Sequence, residues 1–251
     1  MATANDPYRE FASSYQRFFA GFGVHDPAYE TFFRTLFERH GVRRVLDCAC
    51  GVGQDMHLFH TLGCEVYGSD LSEAMLAEAR RNLAAAGLEL PLTQADFREL
   101  PTHFDRRFDA VVCLSTSLPH LLEDAELLRA LRSLRAVLRE GGVLVLTQGM
   151  CDRQLREKPR FIPVIQTRDF SRVFVIDYGT ETLTIHALDL VHEEARQDFQ
   201  TYDFTYRILL RDDYDRLLSA AGYGERWFYG GYGLEPYDKE RSHRLIVVAQ
   251  R

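Results

Sequence analysis

The amino-acid sequence predicts an α/β fold: a doubly wound, mostly parallel sheet carrying an inserted antiparallel unit. Three observations predict it. Short apolar runs alternate with amphipathic stretches from residue 43 to 148, the pattern of parallel strands joined by crossover helices. The first apolar run ends at an acid followed closely by two glycines, in VLDCACGVGQD at 45–55. After Gly149 the rhythm gives way to successive strand-like runs joined by short polar turns, which read as an antiparallel meander.

Element by element, the chain opens with EFASSYQRFF, a G-F-G break and AYETFFRTLFERHG, both helical in pattern. Asp26-Pro27 supplies a cap and a first-turn proline for the second helix, and Gly41 ends it. Phe33, Leu36 and Phe37 recur at helical spacing and should face the core. RVLDC is the first strand, DMHLFHTLG a helix and CEVYGSD the second strand. SEAMLAEARRNLAAAG is a helix capped by Ser72, with Glu73 in its first turn and Gly87 as its stop. LPLTQAD and DAVVCLS are the third and fourth strands, EDAELLRALRSLRAVLREGG a long amphipathic helix, and GGVLVLTQ the fifth strand. Residues 151–168, with two prolines, are expected to form a loop before three meander strands, SRVFVIDY, TLTIHALDLVHEE and DFQTYDFTYRILL. The helix RDDYDRLLSAAG and the late strands ERWFYGG and HRLIVVAQR return to the main sheet. Residues 1–150 and 211–251 are therefore expected to form the core, with 151–210 an inserted lid.

At 251 residues, with 46% hydrophobic and 27% charged residues, the chain suits one large globular domain. A net charge of −7, with no basic run longer than two residues, leaves no electrostatic footprint for nucleic acid. No apolar stretch reaches the 18 residues of a spanning helix. MATANDPYRE lacks a signal-peptide pattern, so a cytoplasmic protein is expected. Of the cysteines at 48, 50, 64, 113 and 151, only Cys48 and Cys50 are close in sequence. Without a second such pair a structural zinc site is not expected, and the thiols read as small hydrophobes.

The glycine loop could serve several ligands. Nothing matches G-x-x-x-x-G-K-[ST]. A dinucleotide fingerprint needs G-x-G-x-x-G, but 51–56 read GVGQDM, with Met56 in place of the third glycine. Asp47, at the strand end, would repel a pyrophosphate. A ligand combining an amino acid with a nucleoside, and carrying no phosphate, fits better. Asp47 can orient an ammonium, directly or through water, while Gly51 and Gly53 let the backbone turn tightly and approach the ligand. Asp70, ending the second strand, can accept both ribose hydroxyls. Asp96, in QADF, can accept from an adenine amino group with Phe97 against the ring. Acids at three successive strand ends share one sheet edge, where open α/β sheets bind ligands.

These motifs resemble those of the class I S-adenosylmethionine-dependent methyltransferases, over residues 43–148 and again at the C-terminal helix and strands. VLDCACGVGQD resembles their first motif, GSD their second and QADF their third. Within the class, VRRVLDCACG, FDAVVCLSTSLPHL and the aromatic N-terminal helix are similar to the glycine and sarcosine N-methyltransferases. The resemblance implies a Rossmann-like methyltransferase fold, S-adenosylmethionine as cofactor, and a meander that covers a small-molecule acceptor. Methylation at nitrogen leads, with O- or C-methylation of a natural product, or cofactor binding without catalysis, as alternatives. Homo-oligomerisation stays open.

The resemblance also implies roles for individual residues. Tyr8 would approach the cofactor and Tyr15 is a second candidate, although both could be packing aromatics. His25 falls near an arginine that holds the methionine carboxylate in that family, and Ala49, Leu71 and Leu114 complete the cofactor set. His120, in SLPHL, could take a proton from the acceptor or simply hydrogen-bond backbone. Strand alternation puts Tyr202, Phe204, Tyr206 and Ile208 on one meander face, with Tyr206 read as pocket and the others as packing. His186 and Tyr232 could be either. The chain departs from the family at Thr116, where an asparagine is usual, and at Gly149, where an arginine meets the substrate carboxylate. Thr116, Gln148, Tyr206 and Tyr232 are thus candidates for a different acceptor. Glycine and sarcosine should be poor substrates unless Arg153 or Arg156 replaces the missing clamp.

Overall fold

The computed structural model describes residues 8–193 and 196–251. Residues 1–7, most of the segment read for a targeting signal, and Glu194, at the end of a meander strand, lie outside the described residues.

Helix α1 (Tyr8–Tyr15) runs into a 3-10 turn (Gln16–Phe18) and precedes α2 (Pro27–His40). The alternating part comprises β1 (Arg44–Asp47), α3 (Gln54–Thr61), β2 (Glu65–Asp70), α4 (Glu73–Ala85), β3 (Leu92–Gln94), β4 (Phe108–Cys113), α5 (Asp124–Val137) and β5 (Leu138–Gln148). There follow α6 (Asp152–Glu157), β6 (Phe161–Gln166), β7 (Phe170–Tyr178), β8 (Thr182–Glu193), β9 (Arg196–Arg207), α7 (Arg211–Ala220), β10 (Arg226–Tyr229) and β11 (Leu245–Gln250).

The main sheet has seven strands in the order β10-β11-β5-β4-β1-β2-β3. Strands β1 to β5 pair in parallel, and β11 is antiparallel to both its neighbours. Alternation along the strands sends residues to opposite faces. Leu46, Val111, Leu144 and Val247 pack with Leu131 and Leu134 of α5 and Leu217 of α7. Val45, Val112, Val145 and Val248 pack with Phe33 and Leu36 of α2, Phe59 of α3 and Leu76 of α4. Both faces are covered, as strands that are apolar on each side require.

The helix ends follow the expected local chemistry. Asp26 accepts hydrogen bonds from the Ala28 and Tyr29 amides, and Gly41 ends α2 in the left-handed conformation at φ 59°. Ser72 accepts from the Met75 amide at 3.3 Å. All five cysteines are buried free thiols. Among the described residues no helix is long and apolar enough to cross a membrane.

The expected loop at 151–168 is instead α6 and a strand, so the second sheet has four strands, β6-β7-β8-β9. Proline interrupts a central strand because it has no N–H to donate to the ladder. Here β6 is an edge strand with a register shift between Pro163 and Ile165, where a missing N–H is tolerated. The pattern for the fifth helix was also too long: α5 stops at Val137, and β5 begins at Leu138. Ile208 lies beyond the end of β9, with its amide bonded to the Glu181 carbonyl, so it does not continue the face of Tyr202, Phe204 and Tyr206. Tyr202 and Phe204 pack on Phe11 of α1. The opposite side of α1 rests Ala12 against Val52 and Met75 of the core, so this short helix lies between the two sheets' packing layers.

Candidate active site

A cavity of about 390 Å³ opens beyond the ends of β1, β2 and β4, roofed by α1. Its size suits a small-molecule ligand. The first loop supplies Cys48, Ala49 and Gly51 to its wall. Gly51 has φ 50° and directs its N–H to Asp70 Oδ2 at 2.9 Å. Gly53 has φ 85° and does not line the cavity. A Cβ there would lie 3.3 Å from Ala79 Cβ, so this glycine lets α3 and α4 approach.

Asp70 lines the cleft with both oxygens oriented: Oδ2 accepts from Gly51 and Oδ1 from the Ser72 amide at 2.9 Å. A carboxylate has about four acceptor sites, the chemistry that a pair of ligand hydroxyls needs. Leu71, 57% exposed, forms the lip, with Ser72 and Met75 beside it. Asp96 and Phe97 reach the cavity as expected, but Asp96 is already clamped by the Arg98 guanidinium and backbone amide. Burial pushes the Asp96 carboxyl up, and the Arg98 bonds outweigh this, leaving it below the usual carboxylate range. Arg98, which also pairs with Glu126, was not foreseen. The Asp-Phe-Arg spacing was its only signal.

The remaining wall comes from β4 and α1. Ser115 and Thr116 both have positive φ, 55° and 68°, a strained conformation often found at functional sites. Their amides bond to Thr147 Oγ1 and the Thr147 carbonyl. Ser115 and Ser117 consequently face the cavity, and neither residue type signals such a turn in sequence. Tyr8, Tyr15, His120 and Leu121 complete the lining. Tyr8 Oη lies 2.6 Å from His120 Nε2. Burial lowers the His120 pKa to about 4, so its imidazole is neutral at physiological pH. Burial, then the Tyr206 and Tyr15 phenols, push the Tyr8 phenol well above its ordinary value. Tyr206 stands behind this pair, its ring 4.4 Å from that of His120.

Several expected site residues lie elsewhere. Asp47 is buried below the cleft, because strand alternation turns it to the side of α3. Burial and then Asp55 push its carboxyl up, while Asp55, bonded to the Tyr29 hydroxyl at 2.8 Å, is itself raised to about 6. His25 stacks on His57 with ring centroids 5.8 Å apart and does not line the cavity. Leu114 is core. The Thr116 hydroxyl accepts from the Gly149 amide and so faces the end of β5. Gln148 donates to the Met150 and Leu209 carbonyls and accepts from the Tyr214 hydroxyl, which binds β5 to the start of α7, and it does not line the cavity. Tyr232 packs on Tyr29 and Phe32 beneath Arg244, away from the cleft. His186 sits between Asp177 and Asp203 on the outer face of the second sheet. Arg153 is engaged by Glu157 and His243, and Arg156 by the Glu240 carbonyl.

The sheet order sets the acid-lined cleft at the carboxyl edge of the parallel strands, where open α/β sheets bind ligands. Residues 45–142 match the methyltransferase domain family. The chain is 36% identical over 232 residues to a glycine/sarcosine N-methyltransferase of Aphanothece halophytica, covering 88% of this chain and 81% of the relative. It is 30% identical to a dTDP-3-amino-3,6-dideoxy-alpha-D-glucopyranose N,N-dimethyltransferase of Streptomyces fradiae, covering 78% and 76% of the two chains. The match to a glycine/sarcosine N-methyltransferase of Parasynechococcus marenigrum (strain WH8102), 39% identical, covers 49% of this chain and spans only 44% of that relative. Among solved structures, an S-adenosylmethionine-dependent methyltransferase from Clostridium acetobutylicum ATCC 824 superposes with a TM-score of 0.80 at 17% identity, over 98% and 99% of the chains. An S-adenosylmethionine-bound amino pentose methyltransferase from Micromonospora echinaspora gives 0.72 at 26% identity, over 99% and 100%. This chain therefore belongs to the S-adenosylmethionine-dependent methyltransferases. S-adenosylmethionine is its methyl donor, and the cleft fits it: its lining carries an oriented carboxylate and a phenyl ring, and among the described residues lining it Arg98 is the single cation.

Proposed function

We propose that this enzyme methylates the nitrogen of a small-molecule amine larger and less anionic than glycine, with amino sugars as the leading acceptor class. One observation carries the reading. Among the described residues lining the cleft, Arg98 is the single cation, and Asp96 and Glu126 occupy it. A buried acceptor carboxylate would lack a partner, which is strongly unfavourable. Arg153 and Arg156, the two cations that could have substituted, bond Glu157 and the Glu240 carbonyl and are not among the residues lining the cleft. A relative named as an amino-sugar N,N-dimethyltransferase supports the choice of nitrogen, and it and a solved structure named as an amino pentose methyltransferase support a bulkier acceptor.

Bound S-adenosylmethionine supplies an electrophilic methyl group on a sulfonium. The protein's contribution is placement: an in-line displacement gains most from holding the amine lone pair in line with the methyl carbon and excluding water. Asp70 and Phe97 hold the nucleoside, while Tyr8 and Tyr15 close the opposite side. An attacking amine must be unprotonated. In the tautomer whose Nε2–H donates to the Tyr8 oxygen, Nδ1 of the neutral His120 imidazole can accept a hydrogen bond from the amine without adding positive charge near the sulfonium.

A direct methyl-transfer assay comparing glycine, sarcosine and a nucleotide-linked 3-amino sugar tests this reading. The amino sugar should turn over and the amino acids should not. Efficient glycine turnover at micromolar concentration would overturn the acceptor class. Transfer only to hydroxyl acceptors would overturn nitrogen as the target.

A further inference from the structure

We propose that the Arg172–Asp189 ion pair in the second sheet is a latch that holds α1 in register and so positions Tyr8 and Tyr15 over the cofactor cleft. Arg172 on β7 and Asp189 on β8 are cross-strand neighbours, and both are buried. The guanidinium meets the carboxylate through two bonds of 2.6 Å, from Nε to Oδ1 and from Nη2 to Oδ2. Nη2 also donates to Ser14 Oγ at 2.9 Å, in α1. The Phe11 and Phe18 rings lie 4.6 and 4.4 Å from the guanidinium carbon.

Phe11, Ser14 and Phe18 thus form the side of the N-terminal segment that meets the second sheet. Tyr8, Ala12 and Tyr15, spaced one turn apart, form the side that meets the core and the cleft, with the Tyr8 ring also against Phe204. A helix of eight residues is not stable on its own, so packing decides where it sits. Apolar contact with Tyr202 and Phe204 would hold α1 against the sheet but is non-directional, leaving it free to slide or rotate. A planar guanidinium with fixed donors removes that freedom. Burying an ion pair contributes little to stability, and Nη1 has no hydrogen-bond partner among the described residues, so packing alone does not explain its presence.

The inference rests on the cofactor cleft and not on the acceptor, so cofactor binding tests it independently of substrate. The double variant Arg172→Met, Asp189→Leu removes the latch without leaving a buried unpaired charge. Its circular dichroism and melting temperature should stay near those of the parent. Dissociation of S-adenosylhomocysteine should become about tenfold faster, or more, and amide exchange in residues 8–15 should accelerate relative to β7 and β8. KM for S-adenosylmethionine should rise. Arg172→Lys, which keeps the charge but loses the fork, should fall between. Parental S-adenosylhomocysteine affinity and parental protection of α1 would overturn the proposal, including where melting falls, because that outcome is a purely structural role. If the double variant does not fold, Ser14→Ala severs the link to α1 and leaves the ion pair intact. It should weaken S-adenosylhomocysteine severalfold, and unchanged affinity with unchanged α1 exchange would equally overturn the latch.

Discussion

The phenolic oxygen of Tyr8 and the Nε2 of His120 meet at 2.6 Å across 112 positions of sequence. One comes from α1, the other from the 3-10 turn Leu118–His120 that follows β4. The contact joins the N-terminal helix to the cleft-bearing edge of the sheet, and its two members respond to burial in complementary ways: both stay neutral.

Tyr8→Phe should separate chemistry from binding. The ring and its packing on Phe204 are retained while the bond to His120 is lost. We expect kcat to fall by roughly tenfold or more with S-adenosylhomocysteine affinity nearly unchanged. Parallel loss of both, read by steady-state kinetics and calorimetry, would make Tyr8 a cofactor-packing residue only.

His120 should titrate near 4 in the folded protein, which an NMR titration of its ring proton can follow. Because its folded pKa is depressed, the unfolded chain binds the proton more readily. The associated stability is complete above the unfolded value of about 6.5 and is lost as pH falls toward 4. His120→Gln lacks this dependence. The stability difference between wild type and variant should therefore shrink by up to about 3 kcal/mol between pH 7 and pH 4, measured by urea unfolding. A constant difference would show that His120 titrates normally.

Asp70→Ala should fold and lose cofactor. It removes the acceptor for the Gly51 and Ser72 amides along with the ribose contacts. S-adenosylhomocysteine affinity should drop about tenfold or more, by calorimetry. Wild-type affinity would remove Asp70 from the nucleoside site.

Gly53→Ala should reduce stability by about 1–2 kcal/mol, through the left-handed backbone and the close approach to α4. Denaturant unfolding measures it, and a neutral substitution would show that α3 and α4 separate freely.

The main sheet was legible because its signals are local and periodic. Apolar runs ending in Asp47, Asp70 and QAD, the Asp26-Pro27 cap, and the stops at Gly41 and Gly87 each report the conformation of their own few residues. Three strand ends on one sheet edge located the cleft for the same reason. Side-chain destination was not local. Asp47 stands in the motif yet is turned under the cleft toward Asp55, and Gly53 serves helix contact while Gly51 faces the cavity. Gln148 and Thr116 are spent on holding β5 and the turn after β4. Arg98 entered the wall, and Arg153 and Arg156 left it, through ion pairs and hydrogen bonds that no spacing rule encodes. The sequence by itself determined the order of strands and helices in the main sheet, the ligand-bearing edge and the class of cofactor. Only the tertiary structure decided which charges remain available to an acceptor and that Tyr8 reaches His120, because both depend on contacts between segments far apart in the chain, formed when α1 is enclosed between the core and the second sheet.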